Sequence, residues 1–356
     1  MGSAGVYVHV PFCRTRCDYC AFSTYTDRDY LIERYVDACR RELEKAFGDD
    51  DLDGATSVFF GGGTPSRLAA ATLAVLLGSI RLAGGAEVTV ECNPEDADPE
   101  RFAAYGAAGV TRLSFGVQSV VERVLVSLGR RHGPGEVERA IELAAASGIS
   151  SFNVDLIFGA VGESDEDWDR TLRWAVAHGA PHVSAYALTV EPGTGLAADR
   201  SRHPDDDVAA RRYEHADAVL TAAGYRWEEI SNWALPGHEC RHNQLYWSQG
   251  DYLGVGSAAH SHRSGHRWWN IRSPERYIEA VGSGGSPVAG EEVLDAAERE
   301  FERLALALRT PRGVPSEALP DLVELRPLVA RSADRAVLTV KGRLLANAVT
   351  THLRAR

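Results

Sequence analysis

The chain is poor in several things, and each absence narrows what it can be. Its only methionine is the first residue, so no internal thioether is available as a metal ligand. It has six cysteines in 356 residues and reads as having no secretory leader. The expectation is a reduced, cytoplasmic protein rather than a disulfide scaffold. No apolar run reaches the roughly 20 residues that cross a bilayer. There is no basic run to track a phosphate backbone, and the formal net charge is −12, so no nucleic acid partner is expected. A chain of this length can bury a large core and is expected to divide into more than one domain.

What is present starts with three cysteines in one place. Cys13, Cys17 and Cys20 follow the apolar run Val6–Phe12 with the spacing Cys-x3-Cys-x2-Cys. That spacing lets three thiolates close on one small inorganic centre from a single loop. A structural zinc or an electron-transfer cluster normally takes four protein ligands. A cubane held by three leaves one iron open to bind something else. On spacing alone a Cys3His zinc site that recruits His9 stays open as the alternative. Cys39 and Cys92 fall within helical and strand patterns and read as core.

Short β-rich runs recur at 6–10, 57–60, 87–91, 112–116, 152–158 and 182–188. Amphipathic helical patterns such as 29–47, 134–147 and 166–178 separate them. This alternation predicts a parallel sheet with crossover helices. Six units predict an incomplete (β/α)6 barrel, whose chemistry sits on the loops at the carboxyl ends of the strands. The cysteine loop follows the first strand. The second runs into Gly61-Gly-Gly-Thr64-Pro65, and the third ends in Glu91-Cys-Asn93-Pro94. The fourth ends at Gln118, and the fifth carries Asp155. A single polar residue at such a place is more often structural. Four successive polar strand ends facing one mouth predict a site.

Together these segments carry a resemblance. Tyr7-Val-His-Val-Pro-Phe-Cys13, the glycine loop, Glu91-Cys-Asn-Pro94, Leu113-Ser-Phe-Gly-Val-Gln118, Val154-Asp-Leu-Ile-Phe-Gly159 and Ser184-Ala-Tyr-Ala-Leu-Thr-Val-Glu-Pro-Gly193 are similar to the radical S-adenosylmethionine (SAM) coproporphyrinogen-dehydrogenase-like group. Within it, the chain most resembles the HemW heme chaperone family. The resemblance implies an α/β radical SAM partial TIM barrel with a smaller α+β C-terminal part. It implies a [4Fe-4S] cluster on Cys13, Cys17 and Cys20. It implies a SAM methionine moiety held by Gly62, Gly63 and Thr64 through backbone and hydroxyl contacts, with Glu91 on its amino group. Tyr7, Tyr19, Gln118, Arg130 and Asp155 match other SAM-contacting positions. Asp155 suits a ribose hydroxyl, and Arg130 suits a carboxylate. If the group's chemistry operates, SAM is cleaved reductively to a 5′-deoxyadenosyl radical, and an electron donor is required. The dehydrogenases carry one further cysteine, Cys-x3-Cys-x2-Cys-x-Cys. Here Ala21-Phe22 follows Cys20, as in the HemW pattern, which weighs against coproporphyrinogen chemistry. A radical methyltransferase is the other rival.

A linker is expected at 200–204, followed by a helix over 207–224. Five of the seven tryptophans lie in 227–269 and five of the twelve histidines in 238–266, which suggests a surface for a flat aromatic ligand. The bland alternative is an aromatic core with hydrogen-bonded histidines. The centre of the region, His242-Asn-Gln-Leu-Tyr-Trp247, resembles the HNxxYW segment associated with heme in HemW proteins. That resemblance implies His242 as a heme ligand, with Cys240 as second or alternative ligand. His238, His260 and His262 are weaker candidates. The expected division is a barrel over 1–200, a His/Trp-rich region over 201–290 and a winged-helix-like unit over 291–356 that packs as a lid on the open side. The implied activity is transfer of heme to an acceptor protein, which could hold the chain peripherally at a membrane. No catalytic residue is assigned.

Overall fold

Alternate residues of the first six strands face different surroundings. Val6, Val8 and Val10 of β1 (Ala4–Val10), Val58 and Phe60 of β2 (Ala55–Gly62), and Val88 and Val90 of β3 (Leu82–Cys92) are cut off from solvent. So are Leu113 and Phe115 of β4 (Arg112–Gln118), Val154 and Leu156 of β5 (Ser151–Phe158), and Val183 and Ala185 of β6 (His182–Ala187). All belong to one apolar core. The residues between them are mostly small or polar: Tyr7 and His9, Gly61, Thr89 and Glu91, Ser114 and Gly116, Asn153 and Asp155, Ser184 and Tyr186. With a strand period of two, one face packs on helices and the other forms a polar barrel interior. The computed structural model describes residues 4–48, 53–149 and 151–354.

Strands β1 to β6 are parallel and neighbour one another in sequence order. Helices α1 (Ile32–Gly48), α2 (Ala70–Gly78), α3 (Pro99–Ala108), α4 (Glu122–Ser127) with α5 (Pro134–Ala146), and α6 (Asp165–Ala177) make the crossovers. This is the expected (β/α)6 partial barrel. After one turn, α7 (Gly195–Ala198), α8 (Asp206–Ala222) adds Tyr213, Ala216 and Leu220 to the same core.

The 201–290 region extends this barrel. Strands β7 (Arg226–Glu229) and β8 (Asn232–Ala234) continue the sheet antiparallel beyond β6. Helix α9 (Arg241–Trp247) follows. On the other side β9 (Tyr252–Val255) pairs parallel with β1, and β10 (His260–Arg263), β11 (His266–Asn270) and, after α10 (Pro274–Gly282), β12 (Val288–Val293) add antiparallel. β12 and β7 end the twelve-stranded sheet and do not pair with each other, so the barrel stays open.

The C-terminal unit has its own core, including Leu304, Leu308, Val314, Leu338 and Val349. It comprises α11 (Ala296–Leu308), a small sheet of β13 (Val314–Pro315), β14 (Val329–Arg331) and β15 (Arg335–Leu338), then α12 (Val340–Leu344) and α13 (Ala346–Thr350). Arg343 pairs with Asp217 of α8 at 2.5 Å and lies 3.8 Å over the Trp227 ring of β7. Glu302 of α11 pairs with Arg267 of β11 at 2.9 Å. The unit therefore bridges the two outer sheet segments near the end where the parallel strands begin, opposite the cysteine loop.

Candidate functional site

The loops leaving the carboxyl ends of β1–β5 close on one cavity of about 560 Å³. Cys13, Cys17, Tyr19 and Cys20 line it from the first loop, and Gly62, Gly63 and Thr64 from the second. Glu91, Gln118, Arg130 and Asp155 complete the expected set. The base of the cysteine loop is clamped, with the Cys13 N–H donating to the Tyr25 carbonyl at 3.0 Å and the Tyr25 N–H to Pro11 at 2.8 Å. A turn from Cys20 N–H to the Cys17 carbonyl, 3.1 Å, sets the second spacing. Thr64 Oγ1 stands 3.6 Å from the Cys13 sulfur and Arg130 Nη1 3.6 Å from the Cys17 sulfur. Burial pushes the Cys13 and Cys20 thiols up, so metal binding there must displace protons.

The glycine loop is shaped by contact with β1. Gly62 has φ +111°, and a Cβ there would lie 2.4 Å from the His9 ring. A Cβ on Gly63 would meet the carbonyl oxygens of Val10 and Phe12 at 2.8 and 2.9 Å. Only glycine allows so close an approach. The backbone contacts implied for this loop narrow to its carbonyl oxygens, because its N–H groups are already taken. Gly63 N–H is given to Val10 at 2.8 Å, Thr64 N–H to Phe12 at 3.0 Å and Gly62 N–H to Glu91 at 3.1 Å. The loop can offer acceptor oxygens and the Thr64 hydroxyl, which suits an ammonium group.

Glu91 is half-buried in the cavity wall, and its carboxyl is pushed up to about 8 by desolvation and then by the nearby Asp155, against the Gly62 hydrogen bond. Asp155 is also raised by burial. It accepts from Ser114 at 3.1 Å and Asn153 at 2.9 Å, which fix its orientation. Two carboxyls lining one cavity favour a cationic ligand. Arg130 is held rather than free: Nη2 donates to Asn93 at 2.8 Å and to the Gly116 carbonyl at 2.9 Å. Gln118 has φ +64°, in the left-handed region that non-glycine residues rarely adopt, where a register shift ends β4. Tyr7 does not line the cavity. It lies inside the barrel with its hydroxyl 3.0 Å from His9 Nδ1. Asn93, Ser114 and Tyr186 line the cavity without having been assigned roles. All three stand inside the quoted motifs, but nothing in the sequence singles them out.

The HNxxYW segment lies at the opposite end. It forms α9, which plugs the barrel where the parallel strands begin. Glu87 of β3 accepts the N–H groups of Arg241 at 3.1 Å and His242 at 3.0 Å, at the helix start. His242 is 1 % exposed. Its Nδ1 lies 2.9 Å from Ser57 Oγ and its Nε2 2.8 Å from Tyr246 Oη. Its ring stacks on Phe59 at 5.4 Å. Burial drives its pKa down to about 3, so it is neutral. Cys240 is buried too, with its thiol raised and its sulfur 3.7 Å from Glu87. Neither is presented to a ligand in this conformation. The tryptophans do not gather on one face either. Trp233 is fully buried, Trp227 and Trp247 line a second cavity, and Trp268 and Trp269 lie on β11.

Comparison with known proteins fits this geometry. The radical SAM superfamily model matches residues 7–175. A protein of Mycobacterium tuberculosis called heme chaperone HemW is 46% identical, covering 98% of this chain and 94% of that one. The chain belongs to the HemW family. Escherichia coli HemW is 40% identical over 72% of the chain and 69% of its own length. A mouse mitochondrial protein, radical S-adenosyl methionine domain-containing protein 1, is 37% identical over 87% of the chain and 74% of its own length. The solved structure of coproporphyrinogen III oxidase (HemN) from Escherichia coli superposes with a TM-score of 0.83 over 98% of this chain and 89% of that one, at 22% identity. That likeness shows a shared fold.

The residues at the mouth fit the cluster and SAM that membership of the radical SAM superfamily implies. Three thiols line one cavity, two with donors at their sulfurs. The zinc alternative fails on its fourth ligand. His9 has Nδ1 on Tyr7 at 3.0 Å and Nε2 on the Ser23 carbonyl at 2.9 Å, so both ring nitrogens are engaged. Zinc–sulfur bonds of about 2.3 Å in a tetrahedron also require thiolates within about 4 Å of one another. Among the described residues, no three His, Cys, Asp or Glu side chains are gathered for a single ion. No helix of the described residues is long and apolar enough to cross a membrane.

Proposed function

We propose that this protein is a cytoplasmic heme chaperone that carries a [4Fe-4S] cluster on Cys13, Cys17 and Cys20, binds SAM in the barrel mouth and hands heme to an acceptor protein. One observation carries the reading. The cavity that unites the three cysteines with Glu91, Arg130 and Asp155 stands in a chain whose similarity to HemW runs almost end to end. A cluster there would supply one-electron chemistry to SAM. The protein's own contribution is positional. Glu91 and the glycine loop present acceptors to an ammonium, Asp155 presents one to a ribose hydroxyl, and Arg130 supports Cys17. Reduction would need an external donor, and the acceptor is defined only as a protein that takes up heme.

Iron ligation by His242, with Cys240 as the alternative, belongs to this proposal under one condition. Helix α9 must come off Glu87 and Ser57 to free Nδ1, which Ser57 holds while the helix is seated, Nε2 being held by Tyr246 of the same helix. The test is one anaerobic incubation of cluster-loaded protein with reductant and SAM, comparing hemin, coproporphyrinogen III and no addition. Retained heme that passes to an apo-hemoprotein supports the chaperone. Decarboxylated porphyrin or a methylated product would replace it with one of the enzymatic readings.

A further inference from the structure

A second cavity, of about 710 Å³, opens where the parallel strands begin, between β7, α9 and the segment after α11. That volume lies within the roughly 300–1,000 Å³ typical of cofactor and ligand pockets. Its wall combines two indoles, Trp227 and Trp247, with three arginines, Arg226, Arg241 and Arg312. Arg343 covers Trp227 at 3.8 Å, and Trp247 closes α9 on the other side of the cleft. Arg241 reaches the Gly85 carbonyl at 2.6 Å. The guanidinium groups of Arg226 and Arg312 have no hydrogen-bond or ion-pair partner among the described residues. The two acids of the wall are occupied. Glu228 accepts from Cys240 N–H and meets His182 at 2.9 Å, and Glu239 accepts from Gly237 N–H. In a chain of net charge −12, this is a locally cationic, indole-lined cleft.

We propose that this cleft is where heme docks, its macrocycle against Trp227 and Trp247 and its two propionates on Arg226 and Arg312. The inference rests on the chaperone reading above and supplies what that reading lacks, an open place for the ligand. Guanidinium forks recognise carboxylates bidentately, and indole surfaces suit a flat aromatic ring. The cleft also touches the plug. Ser57, which holds His242 Nδ1, forms part of the cleft wall, as does Leu245 of α9. Docking there places the ligand beside His242 before any iron bond forms. The cleft lies at the opposite end of the barrel from the cysteine mouth, roughly 20 Å away along six or seven strand residues.

The test titrates cluster-loaded, full-length protein with hemin, hemin dimethyl ester and iron-free protoporphyrin IX, comparing wild type with the double variant Arg226→Ala/Arg312→Ala. Both side chains are exposed, and iron content and SAM binding, measured in parallel, should not change. Wild type should bind hemin roughly 10- to 100-fold more tightly per free carboxylate than its ester. The double variant should bind hemin as weakly as wild type binds the ester, and bind the ester unchanged. The arginine-dependent difference should persist with protoporphyrin IX, because the carboxylates and not the iron are read. Wild-type hemin affinity in the double variant, or loss of the difference without iron, would overturn the cleft while leaving the chaperone reading intact. No hemin binding by wild type would overturn both.

Discussion

The Glu91 carboxylate takes the Gly62 N–H at 3.1 Å and lies close enough to Asp155 for that charge to oppose its ionisation. The consequence is a pH-dependent affinity. Free of ligand, Glu91 has its pKa at about 8 and is mostly protonated at neutral pH. An ammonium ligand requires the carboxylate, so binding releases a proton. Affinity for SAM should rise with pH up to about 8 and then level off. Isothermal titration in buffers of different ionisation enthalpy reads both the affinity and the proton. Glu91→Gln should lose roughly 10- to 150-fold in affinity above pH 8 and remove the slope below it. An unchanged slope in that variant would take Glu91 out of the ammonium contact.

Arg130 should tune the cluster rather than hold it. It is not a ligand, yet its Nη1 is 3.6 Å from the Cys17 sulfur. Donors and positive charge at a cluster sulfur favour the reduced, more negative state. Arg130→Met should keep about four irons per chain and shift the reduction potential downward, read by redox titration with electron paramagnetic resonance. Replacing Cys13, Cys17 or Cys20 with Ala should abolish the cluster absorbance. Zinc without sulfide in anaerobically purified protein would contradict the cluster.

The parallel barrel and its mouth were legible because their signals are local. Each strand end carries its polar residue within a few positions of an apolar run, so Cys13, Gly62, Glu91, Gln118 and Asp155 could be placed on one rim without knowing any long-range contact. The bottom of the barrel was not legible. Whether His242 faces solvent or the interior depends on its pairing with Ser57, 185 positions away, and on Glu87 receiving the start of α9. Nothing in His242-Asn-Gln-Leu-Tyr-Trp247 encodes that. The strands β7 to β12 are short, and their His and Trp content resembled a ligand surface more than a sheet. Tyr7 rested on the resemblance alone, and its place beside His9 inside the barrel depends on packing that no local pattern encodes.

His242 should carry a pH signature of its own. Its folded pKa of about 3 lies below the unfolded value near 6.5, so the unfolded chain binds the extra proton between those limits. The stability His242 contributes is complete above about pH 6.5 and declines as pH falls toward 3, by up to about 1.4 kcal/mol per pH unit. His242→Asn should therefore cost more stability at pH 8 than at pH 5 when denaturant unfolding is compared. An equal cost at both would mean the imidazole titrates normally and is not buried as described.

Glu87 should control how readily the plug opens. Its carboxylate receives the N–H groups of Arg241 and His242, at the positive end of a seven-residue helix. Glu87→Ala leaves both donors without that partner and should cost about 2–4 kcal/mol of stability. It leaves the cysteine mouth untouched, so iron content and SAM affinity should stay at wild-type levels. If His242 must leave Ser57 to reach iron, loosening α9 should speed the Soret change that follows hemin addition, and His242→Asn in the same background should remove it. A Soret change equally fast in wild type and Glu87→Ala would mean that iron ligation does not wait on α9, and that the ligand lies elsewhere than His242.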